Sequence, residues 1–335
     1  MLERPDLSDA AIAGALHAHH GIRAAAITFL PVGNDVHSSA FKVIASDGAA
    51  FFLKARTGEM NPAALEIPRF LKAQGVPAVA PIASQAGTLW IDDGDFHLML
   101  YPFIAGESGM DAGLSDAQWV AFGVALRRMH DLALPAEIRA LLPREDFSAY
   151  PYFQDVLQRV DALARATDFQ NATLRDLASF WREHSAEIRH IAQSAREIGD
   201  ACKQRAWRGM LCHADIHTAN LMVDHAGDIH FVDWDQPLFA PKERDLMFVA
   251  GERAGEGAGE GAGKKEARFF GGYGDVAIDR QAMRYYRHWW IVQDLGDYAA
   301  RAFLMDVSDE VRADAATGLK GMFDAGDVID NVLKG

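Results

Sequence analysis

The spacing of apolar residues changes character along the chain. Ser8 suits a helix N-cap, Ile12 and Leu16 share one face of the helix it would open, and Gly21 is placed to stop it. Residues 27–32, 39–46 and 49–56 then read as strands, with Asp47-Gly48 as the tight turn between the last two. In the third of these strands Phe51, Leu53 and Ala55 face one way, and Phe52, Lys54 and Arg56 the other. Asn61-Pro62 opens a helix through Leu65, Ile67, Phe70 and Leu71 that Gly75 and Pro77 end. Two more strands, 88–91 and 96–103, are joined by Asp92-Asp93-Gly94. From Ser115, paired with Gln118 as a capping box, the period lengthens, and Trp119, Phe122, Leu126 and Met129 recur every three or four residues. Leu174, Leu177, Trp181, His184, Ile188 and Ile191 line one face of a long helix, where His184 reads as a core histidine. Further helices are predicted around 281–303 and 308–323. The pattern predicts an α+β fold, with a strand-rich N-terminal lobe over 1–104 and a mostly helical C-terminal lobe over 105–335.

One stretch interrupts the helical half. Residues 212–235 read CHADIHTANLMVDHAGDIHFVDWD. Two short strand-like runs, 221–223 and 229–232, flank the turn-prone Asp224-His225-Ala226-Gly227-Asp228. A hairpin there carries the chain out from Asn220 and returns it to Asp233. A carboxylate and an amide oxygen form a hard-oxygen set that suits Mg²⁺, which fills the rest of its shell with water and phosphate oxygens. Asp215, on the preceding loop, is then left to act as a base, the division of labour used in phosphoryl transfer. A rival reading, a metal site from His213, Asp215 and His217 on one face of an extended segment, leaves Asn220 and Asp233 unexplained.

The strand-rich half offers a matching set. Lys54 lies in an otherwise apolar strand, either snorkelling from the sheet surface or holding nucleotide phosphates. The polar loop 33–39, which includes Ser38, lies two strands earlier and could fold over a phosphate. Glu66, twelve residues past Lys54, is the candidate to pair with that lysine, and Glu59 is the alternative. The strand that ends in Tyr101, Phe103 and Ile104 becomes a connector whose backbone groups could meet an adenine edge.

Composition narrows the setting. Half the residues are hydrophobic and 24% are charged, as in a globular protein, and no apolar run is long enough for a membrane span. The first residues lack a signal-peptide core, and Cys202 and Cys212 do not make a disulfide framework, so a cytoplasmic location is expected. A net charge of −14 disfavours nucleic acid and suits a cationic substrate. Residues 254–265, AGEGAGEGAGKK, superficially suggest a phosphate-binding loop. The first required glycine falls on Ala258, however, and Lys265 replaces the Ser or Thr. With six glycines between 251 and 263, this reads as a flexible surface insertion and not a helix.

Taken together, the chain resembles the aminoglycoside phosphotransferase family, whose fold is like that of eukaryotic protein kinases. The residues that carry the resemblance are Cys212 to His217, Val232-Asp233-Trp234-Asp235, the run from Ala240 to Phe248, Gly271-Gly272-Tyr273-Gly274 and Tyr285-Tyr286-Arg287-His288. Weaker support comes from Lys54, the strand end at Tyr101, and Leu126 to His130. Within that family it is most similar to the spectinomycin-modifying members. The resemblance implies a bilobal kinase that uses ATP or GTP with Mg²⁺ to phosphorylate a hydroxyl on an aminocyclitol or aminoglycoside. A kinase of a metabolite alcohol such as homoserine, choline or thiamine is the alternative, and a non-catalytic nucleotide-binding pseudokinase a further one. By motif position Asp215 is the catalytic base, Asn220 and Asp233 the metal ligands, Lys54 the phosphate contact and Glu66 its partner. Asp235 and Asp294 are candidate acids for a substrate amine, although Asp235 could join the metal shell instead. The metal motif reads Asp-Trp-Asp, and no Ala-Pro-Glu activation segment is present, which argues against protein substrates.

Overall fold

The computed structural model describes residues 4–33, 37–250 and 262–324, together with 329 and 332. Helix α1 (Asp9–His20) starts at Ser8, whose hydroxyl accepts the Ala11 N–H at 3.1 Å, and stops at Gly21, left-handed with φ 70°. The chain continues through β1 (Ala24–Leu30), β2 (Ser38–Ala45), β3 (Ala50–Arg56), α2 (Ala63–Ala73), β4 (Ile91–Asp93) and β5 (Phe96–Pro102). A short β6 (Gly106–Ser108) leads to α3 (Asp116–His130) and α4 (Ala136–Leu141), and then to the long α5 (Pro151–Ala166) and α6 (Ala172–Lys203). Residues 210–231 supply β7 (Met210–Cys212), a 3₁₀ turn (Thr218–Asn220), β8 (Leu221–Asp224) and β9 (Ile229–Phe231). They are followed by β10 (Leu238–Ala240), α7 (Glu243–Leu246) and α8 (Ala262–Tyr273). Last come α9 (Arg280–Ala299), prolonged by a π-helical turn (Ala300–Leu304), and α10 (Asp309–Gly321).

These elements form two compact units. Among the described residues, one holds α1–α4, β1–β10, α7 and α8; the other holds α5, α6, α9 and α10. The 104/105 boundary falls within the first unit. Gly106 is forced there by close approach, since a Cβ would overlap the Val223 carbonyl across the β6–β8 pairing.

In the first unit an antiparallel sheet runs β1-β2-β3-β5-β4. Its period-two alternation sorts the two faces. Phe41, Val43, Leu53, Ala55, Leu98 and Leu100 pack against Ile12 and Leu16 of α1. Met99 and Tyr101 turn to the opposite face, with Leu65 of α2. Lys54 stands opposite Met99 in the β3–β5 register, so it shares this second face with α2. The predicted facing is observed, and four of the five strands differ from the prediction only at their ends; the fourth does not, since β4 shares only Ile91 with the predicted 88–91 run and takes Asp92 and Asp93 from the predicted turn.

The rest of the unit is built on α3. Ser115 and Gln118 form the expected capping box, and Trp119, Phe122, Leu126 and Met129 are buried. Phe122 meets Phe231 of β9 and Phe269 of α8 edge-on, at 5.8 and 4.9 Å. Gly123 and Gly272 let α3 and α8 touch backbone to backbone: a Cβ on Gly123 would overlap the Phe269 carbonyl, and one on Gly272 the Val120 carbonyl. Residues 254–261 of the Gly-rich segment lie outside the described residues. Its end, Gly263-Lys264-Lys265, begins α8 instead of continuing a loop. Packing of Phe269 and Tyr273 against α3 outweighs the poor helix propensity of glycine there. In the second unit α9 packs on α5 and α6. His184 is only partly buried, paired with Glu187 at 2.7 Å and lying against Phe180 and Phe323.

Two glycine substitutions should separate close approach from propensity. Gly123→Ala should destabilise by about 1–3 kcal/mol, because backbone atoms of α8 must move. Gly14→Ala, in α1 with nothing near its Cβ position, should stabilise by about 0.5–1 kcal/mol. Denaturant unfolding of the two variants measures both; a neutral Gly123→Ala would refute the tight α3–α8 contact.

Candidate active site

The loop after β7 has no ladder partner, and its backbone is held by side chains. Asp245 of α7, fully buried, accepts the N–H of His213 at 3.0 Å through Oδ2 and the N–H of Ala214 at 2.8 Å through Oδ1. His130, the last residue of α3, reaches the same Oδ2 through Nε2 at 3.0 Å, and its Nδ1 lies 2.7 Å from the Tyr273 hydroxyl of α8. Burial pushes the Asp245 carboxyl up, but His130, His213 and the backbone N–H groups more than reverse this, so it lies below the usual carboxylate range. Ala214 is thereby kept at φ 73°, a left-handed conformation costly for a residue with a Cβ.

His213 closes the loop from inside. Its Nδ1 accepts the Asp215 N–H at 3.3 Å, which leaves Nε2–H to donate to the Val232 carbonyl at 2.9 Å. Its ring rests on Trp234, 4.3 Å between centroids. His217 Nδ1 accepts the Ala219 N–H at 3.2 Å at the start of the 3₁₀ turn, and its Nε2 lies 3.5 Å from Asp215 Oδ2. Asn220 donates its amide N–H groups to the Asp215 carbonyl at 2.8 Å and to Asp215 Oδ2 at 3.0 Å. Burial raises the Asp215 carboxyl, but the His217 hydrogen bond and the electrostatic pull of His217, Arg244 and His213 outweigh it, and the net shift is downward. Asp215 is therefore a poised carboxylate, ionised at neutral pH.

The predicted hairpin brings Asn220 and Asp233 together. The Val232 N–H donates to the Asn220 carbonyl at 3.1 Å, which sets Asp233 next to Asn220. Asp233 is the second non-glycine residue of the site in the left-handed region, at φ 61°. Because the Asn220 N–H groups are directed at Asp215, its amide oxygen is the atom left to meet a cation. With the Asp233 carboxylate it makes a hard-oxygen pair, which fits a divalent ion that keeps several waters and phosphate oxygens.

Lys54 enters the same place from β3. Its ammonium lies 2.7 Å from both oxygens of Asp235 and 3.2 Å from Asp233 Oδ1. Burial disfavours the ammonium, yet the charges of Asp233 and Asp235 raise its pKa overall. Arg56 lies 3.6 Å from Asp235 and donates to the Ser38 hydroxyl at 3.4 Å.

Two expectations need correction. Glu66 is not the partner of Lys54. It lies half-exposed on α2 and pairs with Arg69 at 3.1 Å, while its neighbours Leu65 and Ile67 take the buried side. Asp235 is not a free acid awaiting a substrate amine, because Lys54 and Arg56 already engage its carboxylate, although 32% of its side chain stays exposed. Further along, the Phe103 N–H is bound to the Ala50 carbonyl at 3.3 Å, so the β3–β5 ladder runs one bond past Pro102. Tyr101 stands opposite Phe52 in that ladder, and Ile104 follows it, half-buried. Residues 34–36 of the 33–39 loop lie outside the described residues. Asp294 sits on α9, in the second unit, near Tyr298.

His130 and Asp245 were not singled out for a role from their sequence settings, and Asn61 only as a helix start. The signal was there for Asp245: Glu243-Arg244-Asp245 is a run of charges, and all three are buried. His130, Cys212 and Asp245 also bring one ligand atom each within 4.8 Å of one another. They make a poor metal site. Both imidazole nitrogens and both carboxylate oxygens are engaged in hydrogen bonds, and burial holds the Cys212 thiol well above its usual range.

Comparison with known proteins identifies the family and the fold. The profile of the phosphotransferase enzyme family matches residues 28–286. The solved structure of spectinomycin phosphotransferase, APH(9)-Ia, in complex with ADP and spectinomycin is similar at a TM-score of 0.86 and 26% identity, over 98% of each chain. Amicoumacin kinase hAmiN, in complex with AMP-PNP, Ca²⁺ and Ami, shares the fold at a TM-score of 0.63 and 15% identity, over 96% of this chain and 95% of that one. Plasmodium vivax ethanolamine kinase shares it at 0.55 and 15%, over 89% and 82%. No curated protein matches by sequence.

Asp245→Asn should destabilise the protein by about 3 kcal/mol at pH 7, since one amide oxygen cannot serve two backbone N–H groups and an imidazole. The Asp245 carboxyl is shifted down, so its contribution is complete above the unfolded carboxylate range, near ~4, and fades as pH falls through its lower folded value. Urea unfolding at pH 7, 5 and 3.5 should therefore show the gap between wild type and variant narrowing at the acid end. A gap constant with pH would refute the ionised lock.

Proposed function

Since the chain belongs to the phosphotransferase enzyme family and is a small-molecule phosphotransferase of kinase-like α+β fold, we propose that it transfers the γ-phosphoryl group of ATP to a hydroxyl of spectinomycin or a close aminocyclitol. The observation that carries this reading is the convergence of Lys54, Asp215, Asn220 and Asp233 in one unit, with Asp215 held as a carboxylate.

Asp215 accepts the proton of the acceptor hydroxyl as the new O–P bond forms and the bond to ADP breaks, and the proton then leaves to solvent. His217 and the Asn220 amide aim the carboxylate and keep it ionised. Lys54 meets the phosphates, with Arg56 beside it, and the strand end at Tyr101, Phe103 and Ile104 faces the base. Asn220 and Asp233 are the residues that would hold a magnesium ion, which when bound neutralises phosphate charge. Residues 1–104 serve as the nucleotide lobe, and residues 105–335 as the catalytic and substrate lobe, of a cytoplasmic enzyme whose product would be an inactivated antibiotic. The aminocyclitol is supported by the full-length similarity to a spectinomycin phosphotransferase and by a net charge of −14, which suits a substrate bearing cationic amines.

ADP release should rise on adding spectinomycin at about 1 mM, and not with choline, homoserine or thiamine. Stimulation by one of these and by no aminocyclitol would move the protein to a metabolite kinase. No turnover with any acceptor would favour a nucleotide-binding pseudokinase.

Asp215→Asn should lower kcat about 10²–10⁴-fold while ATP affinity stays within about twofold. Because the Asp215 carboxyl is shifted down, wild-type kcat/KM should show no acid limb from this group between about pH 6 and 8. A variant with near-wild-type kcat would remove Asp215 from the chemistry.

A further inference from the structure

A lysine that meets phosphates needs a fixed carboxylate to aim it. In this chain the helix next to β3 does not supply one, since Glu66 is turned to Arg69. The Asp-Trp-Asp segment is built to do so. Trp234 is buried, with its indole N–H on the Phe231 carbonyl at 3.1 Å and its ring against His213, so the segment is anchored at its centre. Asp233 and Asp235, two residues apart, both reach the Lys54 ammonium. Their engagement differs: Asp235 presents both oxygens at 2.7 Å, and Asp233 one at 3.2 Å. The backbone of Asp235 is held as well, its carbonyl accepting the Asn61 side-chain N–H at 3.1 Å. Asn61 in turn accepts the Ala63 N–H at 3.1 Å, so the same residue opens α2.

From this geometry we infer that Asp235 is the positioning residue for Lys54, in place of any carboxylate on α2, while Asp233 is left to ligate metal. The inference rests on reading Lys54 as the phosphate-binding lysine. Two consequences follow. The second acid of the motif acts on the nucleotide through Lys54, without being a metal ligand or a substrate contact. Helix α2 is coupled to the site through the Asn61 side chain and a backbone carbonyl, without an ion pair.

The test is a double-mutant cycle on the full chain: wild type, Lys54→Met, Asp235→Asn and the double variant. In EDTA without nucleotide, thermal unfolding reads the pairing itself. The double variant should lose clearly less than the sum of the two single losses. In turnover with Mg-ATP, using water as acceptor if no alcohol is accepted, Asp235→Asn should lower kcat about tenfold or more with KM for ATP within about threefold. In the Lys54→Met background the same substitution should cost less than about twofold. Asp235→Glu should recover part of the loss, and Glu66→Gln should stay within about twofold of wild type. Additive losses in both readouts would overturn the inference, as would a Glu66→Gln loss equal to that of Asp235→Asn. A wild-type chain inactive on every acceptor and on water would sink the functional reading, and the coupling measured in unfolding would still decide the Lys54–Asp235 pairing.

Discussion

The carboxylate of Asp245 holds the backbone on which the site is built. The loop between β7 and the 3₁₀ turn cannot satisfy its amides through a ladder, and buried amides left unpaired are costly. Asp245 takes two of them, and His130 completes its shell. A buried charge is tolerable only when it is fully bonded, and this one is. The arrangement draws in three elements: α7 supplies the acid, α3 the imidazole and α8 the phenol. The close glycine contact between α3 and α8 places Tyr273, next to Gly272, within reach of His130. Helix packing far from the loop thus fixes where Asp215 stands.

Charge at the site is balanced in the same way. Asp233 and Asp235 lie close enough to repel each other, and the Asp235 carboxyl is pushed up by burial and by Asp233. Lys54, in contact with both, opposes that repulsion. The cluster is an ion network in its own right, and removing Lys54 leaves two neighbouring carboxylates without their shared cation. That makes separation of stability from function in this region a question of coupling between residues, not of single losses.

Much of the fold was legible in the sequence, because alternation and capping act locally. Ser8, Ser115 and Gln118 announced helix starts with their own side chains, and the β2–β3 and β8–β9 hairpins were written in Asp-Gly and in Asp224 to Asp228. The site loop was legible too, since Asp215, Asn220 and Asp233 are joined by one hairpin. Long-range pairings were not. Lys54 and Asp235 are 181 positions apart, and nothing local distinguishes Glu66 from Asp235 as a partner. The start of α8 escaped for a related reason: glycine disfavours a helix by itself, and only the facing surface of α3 reverses the preference. His130 reads as a helix-ending histidine until Asp245, 115 positions later, gives it a partner.

The Asp-Trp-Asp segment shows how little chain such a site requires. Trp234 faces inward and is fixed by its indole N–H and by His213, while the acids on either side of it both reach Lys54. Asp233 departs from extended backbone at φ 61°, a conformation that glycine would adopt with less strain but without a carboxylate. The strain is kept because the side chain is needed. With one acid proposed for a cation and the other closed on Lys54, three consecutive residues fix both the proposed metal ligand and the lysine. Helix α2 then has only to start in the right place, and the Asn61 side chain on the Asp235 carbonyl is enough for that.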